Sequence, residues 1–374
     1  MYIKRRKTAK NNLLLVSILV TLAISLFLVY NASSTYAYNY FGSSYYFLIN
    51  QFVWVCVGLL AFFLVQILPF GAFKKISFLM YVTSIIFLVI VLIPNPFSLE
   101  VYGARRWIVL NPKPFPILPL LGRLSFQPAE FTKLATALTL PLVFLSAREK
   151  TSLGAIAKLA GYFLLPALLI LIEPDLKDAL ILCVLGASII FAGGVEFKYF
   201  LYAIPVGMLL LIFSILFSPY RMERVKTYFS SKHSGESSYH AKQLNIALGS
   251  GGVFGVGVGK SRQKNEYLPE VVGDSIFAIF GEEFGFIGST LMVFLITLVF
   301  YSIYRSTLMI TDMYERLFSI GVLSWYGTQA FLNMGSISGL IPLTGVPLPL
   351  ISYGGSSLLF MLTALAIVYK YSKS

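Results

Sequence analysis

The ionisable residues that could do chemistry gather where polar sequence runs into apolar sequence. Between Ala241 and Gly288 the chain reads AKQLNIALGSGGVFGVGVGKSRQKNEYLPEVVGDSIFAIFGEEFGFIG. This stretch is glycine-rich, carries the cations Lys242, Lys260, Arg262 and Lys264, and ends with Asp274, Glu282 and Glu283 at the start of a long apolar run. An Asp just before a helix is an ordinary N-cap, so Asp274 has a structural explanation beside a catalytic one. Glu282 and Glu283 lie about two turns deeper, where a carboxylate costs on the order of 2.5–3.5 kcal/mol and is usually kept for function. Adjacent helical residues point about 100° apart, so only one of the two can face a cavity well. Together these acids suit general-base chemistry at a membrane boundary.

Two further segments repeat the pattern. In FQPAEFTKLA (126–135) Pro128 suits the first helical position and Glu130 the first turn, whereas Lys133 opposes the helix dipole and is expected to face a polar cavity and an anion. Glu130 and Lys133 are three residues apart and share a helix face. In IEPDLKDALIL the acids Glu173, Asp175 and Asp178 crowd one helix start, more than capping needs. Weaker signals fall away. The glycines from 249 to 259 match neither GxGxxG nor a Walker ending and read as a flexible, backbone-exposing turn. His233 and His240 have no Cys and no i,i+4 spacing for zinc. Cys56 and Cys183 sit in apolar runs, as packing residues.

The elements that must hold these groups are membrane spans. Of the 374 residues 57% are hydrophobic and 12% charged, a composition unlike that of a soluble domain. The reading is an all-α polytopic membrane protein with about ten transmembrane helices: 13–30, 47–68, 76–94, 128–146, 154–172, 178–194, 198–217, 276–304, 313–333 and 352–370. It forms a single membrane domain over 1–374. The basic N-terminus (1–12) and the tail 371–374 are expected in the cytoplasm, by the positive-inside rule, and the large loop 218–275 outside, between spans 7 and 8. The net charge of +13 is spread over inter-span loops and suits lipid head groups better than nucleic acid. Cations at Arg105, Arg106, Lys113 and Arg123 break the charge rule and point to an anionic ligand or head groups outside. Prolines in 95–127 argue for an ordered surface or re-entrant loop there. NMGSISGLIPLTGVPLPLISYGGSSLLFML, uncharged and rich in Pro and Gly, reads as a broken segment lining a cavity.

These motifs resemble the SEDS family, the polytopic proteins of cell-wall shape, elongation, division and sporulation that include FtsW, RodA and SpoVE. The resemblance rests on GARRWI (103–108), FQPAEFTKLA, EPDLKDALIL, the stretch 250–288 and GLIPLTGVPLPLISYGGSSLL (339–359), and spans most of the chain. Glu173 before PD, QPAE, and Tyr267 before LPE lean towards FtsW. It implies a peptidoglycan glycosyltransferase of the cytoplasmic (inner) membrane that polymerises lipid II outside and releases undecaprenyl diphosphate, as in septal synthesis. It further implies a class B penicillin-binding protein as transpeptidase partner, with other divisome proteins, and Asp274 as the catalytic aspartate. Substrate contacts are then expected at Arg106, Trp107, Glu130, Lys133, Asp175, Lys264, Glu270, Glu283 and Ser352. A divalent cation, Mg²⁺ or Mn²⁺, could bridge the diphosphate to an acid, with Asp274 and Glu283 as candidate ligands. The chain departs from the family's LPE-x-H-T-D-F at Val272, Gly273 and Ser275, and carries Lys177 and Asp178 where Gly and Thr are usual. A lipid II transporter and a non-catalytic division scaffold are the alternative readings.

Overall fold

The computed structural model describes residues 12–101, 104–112, 114–115, 124–147, 152–216, 218–229, 236–266, 268 and 271–373. Most of the basic N-terminus, with Gly103, Lys113, Arg123, Arg148, Lys150, Lys232, His233, Tyr267 and Glu270, lies outside the described residues. The long helices are α1 (Asn12–Phe41), α2 (Tyr46–Ile67), α3 (Ala72–Leu92), α4 (Pro128–Ser146), α5 (Leu153–Ile172), α6 (Leu176–Ala192) and α7 (Phe197–Leu216). Three shorter helices follow, α8 (Pro219–Phe229), α9 (Glu236–Ser250) and α10 (Gln263–Glu266), and then α11 (Ile276–Met309), α12 (Met313–Ile337) and α13 (Gly355–Tyr371). Seven of the helices are long and apolar enough to cross a membrane. With their exposed apolar flanks, they make this a multi-pass membrane protein of helical architecture.

Each expected span has a helix over it, α4 with the expected bounds and the others with shifted ends. Helix α3 begins at Ala72, four residues early, and takes in Lys74, which lies 3.3 Å from Asp312. Helix α13 begins three residues late, after the turn at Ile351–Gly354. The centre of the bundle is α4, α12 and α13, whose faces are almost wholly buried. Around them α2 packs along α13, α3 on α4, and α6 between α5 and α12.

Two points of the sequence reading need amendment. The all-α fold class stands, with one addition: the segment after α3 forms a small antiparallel sheet, β1 (Ser98–Val101), β2 (Ala104–Val109) and β3 (Ser125–Phe126), in the order β1-β2-β3. β2 carries Ala, Ile and Val beside an aromatic, and its burial mixes sunk and half-exposed positions, a fit to a half-buried strand. Ile108 pairs with Phe126, one residue before Gln127, so the sheet delivers the chain straight into α4.

The second correction concerns the glycines between α9 and α10, which are not a flexible turn. Val256 N–H donates to Glu282 O at 3.0 Å and Gly257 N–H to Glu283 O at 3.1 Å. In return Phe286 N–H donates to Gly252 O at 2.9 Å and Ile287 N–H to Val253 O at 3.2 Å. Four main-chain bonds thus clamp the loop onto α11 where that helix breaks, at Gly285 (φ 66°, ψ −160°), a conformation open essentially to glycine alone. A Cβ on Gly255 would lie 2.1 Å from Glu283 O, so the loop must be glycine there for the backbones to meet. The described residues of 218–275 accordingly form a cap of α8, α9 and α10, with α9 packed on α11.

Candidate active site

The expected site residues fall into three groups. The first surrounds Asp274, immediately before α11. Ser275 is the N-cap residue and makes no side-chain cap bond, and Asp274 Oδ1 accepts from the Ser275 hydroxyl at 3.3 Å. Ser275 Oγ lies 3.0 Å from His240 Nε2 on α9. Asn333 of α12 donates to the Asp274 carbonyl at 2.9 Å and to Val346 O, holding this corner to the loop after α12. Gly345 of that loop (φ 69°) is where two charges converge: a Cβ there would sit 3.5 Å from Asp274 Oδ2 and 3.7 Å from Arg224 Nη1. Arg224 donates to Leu343 O at 2.9 Å, and Lys177 donates to Gly345 O at 2.7 Å. The carboxylate is half-buried. Arg224 also lines a cavity of about 420 Å³ between α8, α9 and the end of α12, which carries Lys242 and Asn245 beside Leu244, Ile246 and Ile341.

The second group lies at the start of α4 and α6. Lys133, fully buried, contacts Glu130 Oε1 at 2.9 Å and Asp178 Oδ1 at 3.0 Å, with the Trp325 ring 5.1 Å away. Gln127 donates to Asp175 Oδ2 (3.2 Å) and Asp178 Oδ2 (2.9 Å). Asp175 caps α6 by accepting from Asp178 N–H at 3.3 Å. Arg106 on β2 donates to the carbonyls of Glu173 (3.0 Å) and Pro174 (2.8 Å), its Nε 4.0 Å from Asp175 Oδ2. Trp107 is half-buried beside it in the strand, paired in register with Leu99. Glu173, at the C-cap of α5, is buried with neither carboxylate oxygen hydrogen-bonded. Burial, with Asp175 and Asp178 adding to it, pushes its carboxyl up to about 9. Asp175 rises to about 6, again chiefly from burial. The anionic neighbour that Lys133 demands is therefore the protein's own pair of acids.

In the third group Glu283 accepts from Lys264 Nζ at 2.7 Å, from Gly259 N–H at 3.1 Å and from the Asn31 amide of α1. Lys264 also donates to Asn31 O at 2.9 Å. Glu282 accepts from Ser261 Oγ and from Arg262 N–H at 3.1 Å. Both acids are buried, and both anchor the glycine loop and α10 to α11. The break in α11 lets neighbouring carboxylates serve successive turns of one loop. Glu283 is thus committed to three donors and is not arranged to share a divalent ion with Asp274. Among the described residues, no three His, Cys, Asp or Glu converge into a metal-binding set. Ser352 is buried and accepts from Leu348 N–H at 2.9 Å, bracing the turn before α13.

Arg224, His240, Asn333 and Asn31 were not singled out from the sequence for the site. A lone Arg in a charged loop and amides inside apolar helices carry no spacing signal. His240 reads from the sequence only as half of a weak zinc pair.

A polytopic membrane bundle with a structured cap, a half-buried aspartate at a helix start and a buried acid–lysine cluster is the class of protein that this fold and site define. The family described as the FtsW/RodA/SpoVE cell cycle proteins matches residues 11–374, and the chain belongs to that family. It is 34% identical to stage V sporulation protein E of Bacillus subtilis over 98% of both chains. It is 34% identical to the probable peptidoglycan glycosyltransferase FtsW of Nitrosomonas europaea over 96% of this chain and 91% of that one. The fold resembles a chain solved in a peptidoglycan synthase complex that coordinates polymerization and crosslinking (TM-score 0.75, 26% identity, 96% of both chains). It also resembles the rod shape determining protein RodA of Thermus thermophilus (TM-score 0.69, 26% identity, 98% of both chains).

Proposed function

We propose that the chain polymerises lipid II, with Asp274 as general base. As a member of the FtsW/RodA glycosyltransferase family it is an enzyme of peptidoglycan synthesis, acting in cell-wall and division synthesis. Asp274 takes the proton of the acceptor sugar's 4-hydroxyl as that oxygen attacks the donor's anomeric carbon. The bond to undecaprenyl diphosphate breaks, and single displacement inverts the configuration. The observation that carries this reading is the setting of Asp274, a half-buried carboxylate facing Arg224. The acids Glu130, Asp178, Glu282 and Glu283 are instead buried in bonds that hold the fold.

The diphosphate needs placed cations as its charge develops. Lys133 is held by two carboxylates and Arg106 by two carbonyls, so we assign this task to Arg224 and Lys242 at the cavity. In this reading Lys133, Asp175 and Glu130 shape the interior, and Lys264 and Glu283 hold the cap that shelters Asp274. Ten crossings, both termini in the cytoplasm and the cap over α11 outside complete the arrangement, with a class B penicillin-binding protein as crosslinking partner.

The test is polymerisation of purified lipid II by the detergent-solubilised protein with its transpeptidase, wild type against Asp274→Asn. Loss of one proton-accepting group is worth about 10²–10⁴ in rate. Glycan chains from the wild type alone are expected. Equal chains from both would demote Asp274 to a structural residue, and none from either, in folded complexes, would favour transport or scaffolding.

A further inference from the structure

We propose that Ser275 and His240 form a proton relay that empties Asp274 after each turnover; this rests on Asp274 being the base. A base that has taken a hydroxyl proton is spent until it loses it, and a line of hydrogen-bonding groups running from the carboxyl to a more open position gives that proton a defined path. Here Oδ1 of Asp274, Oγ of Ser275 and Nε2 of His240 stand in one line of contacts, 3.3 Å and then 3.0 Å. Ser275 is itself buried, whereas His240 is only half-buried on the outer cap. The line therefore leads outward.

The hydroxyl can point either way, and the state of Asp274 decides which. While Asp274 is ionised, Oγ–H donates to Oδ1. Once Asp274 is protonated, Oδ1–H donates to Oγ and the hydroxyl proton turns to Nε2 of the neutral imidazole. Transfer then breaks the Oδ1–H bond and the old Oγ–H bond and forms a new Oγ–H and an Nε2–H. Carboxylate and hydroxyl are restored, and the imidazolium returns one proton to water. Among the described residues, the charged groups acting on His240 are Asp274 at α11 and Arg224 on α8. Burial lowers the imidazole from its usual range, Asp274 pulls it upward and Arg224 downward, and the net is downward, which keeps it neutral and ready at physiological pH.

One relay position is specific to this chain's wording. Ser275 is one of its departures from the family pattern around the aspartate, and a phenylalanine there could carry no proton. The pairing of that hydroxyl with an imidazole from a different helix gives the departure a use.

The experiment compares wild type, His240→Gln, Ser275→Ala, Ser275→Thr and Asp274→Asn in lipid II polymerisation from pH 5 to 9. Gln keeps a hydrogen bond to Ser275 but cannot take up a proton. The expected result is a tenfold or greater fall in kcat for H240Q and S275A at neutral pH with KM little changed. S275T should retain most of the activity. The wild-type rate should decline with falling pH below the usual histidine range, and that limb should vanish in H240Q. An H240Q enzyme with wild-type kcat and an unchanged acid limb overturns the relay. If D274N is inactive in that case, the base survives and only the relay fails; if D274N is active, the base itself is wrong. Melting curves of each variant separate a lost proton path from a lost fold.

Discussion

The substitution Lys133→Met probes the buried cluster most directly. The lysine is fully buried and is the cation between Glu130 (2.9 Å) and Asp178 (3.0 Å). Methionine matches its stem but leaves both acids without their counter-charge, and Glu130 Oε2 already lacks a hydrogen-bond partner. Removing one partner of a buried pair costs about 3–5 kcal/mol. For a chain of this size that corresponds to a fall in melting temperature on the order of 4–6 °C. The comparison is the double variant Lys133→Met, Asp178→Asn. Asn removes one orphaned charge and still accepts from Gln127, which donates to Asp178 Oδ2 at 2.9 Å. The double variant should regain about 1–3 kcal/mol over K133M, a coupling typical of residues in one network. Intrinsic-fluorescence melting in one detergent, for wild type, both singles and the double, completes the cycle. The reasoning fails if K133M melts with the wild type, or if the two substitutions simply add. Either result would mean that Lys133 is held for a ligand and not for the fold.

Glu173 gives a pH signature. Its carboxyl is about 9 in the fold against an ordinary value near 4.5, so the folded state binds the extra proton between those limits. Stability should fall as pH rises through that window, by up to about 1.4 kcal/mol per unit from this group, and level off above it. Glu173→Gln should flatten the slope in melting temperature against pH, and an unchanged slope would show the carboxyl to be solvated. Gly285→Ala should lose at least about 1–3 kcal/mol through its left-handed φ. Its Cβ would also meet Gly255 N at 2.3 Å. Limited proteolysis should then cut first between residues 250 and 262, and a wild-type digest would show the clamp to be unimportant. Arg224→Gln should raise KM for lipid II and lower kcat together, while Lys226→Gln on the same helix should change neither. Equal behaviour of the two would remove Arg224 from the diphosphate.

What the sequence disclosed depended on the range of the signal. Helix positions were legible because each is a local property, a run of apolar residues long enough to span a bilayer. Pro128 and Glu130 at the start of α4 were legible for the same reason, as position-specific preferences of one helix end. The sheet was missed because β2 pairs with β3 across a proline-rich connection, and strand pairing is a non-local choice. Lys133 reads in sequence as facing a polar cavity and an anion, but its one-dimensional context could not say that Asp178, 45 residues on, would supply the anion inside the packed fold. The resemblance to the SEDS family supplied Asp274, and the structure surrounds it with Arg224, His240 and Asn333 from three separate helices.

The glycines show why the site needs both kinds of information. In sequence they look like freedom, because glycine tolerates any φ. In the fold they mark close approach: Gly255 and Gly285 let the loop lie backbone to backbone on α11, and Gly345 leaves room where Asp274 and Arg224 converge. A side chain at the first two would push the cap away and expose the base to bulk water. One at Gly345 would lie between the base and the cation assigned to the leaving diphosphate. Acids deeper in α11 then become intelligible: Glu282 and Glu283 secure the cap from below, through Arg262 and Lys264, so that Asp274 above them can stay half-buried and available. The chain keeps most of its boundary carboxylates busy holding the boundary still, and that stillness is what lets one of them serve as a base.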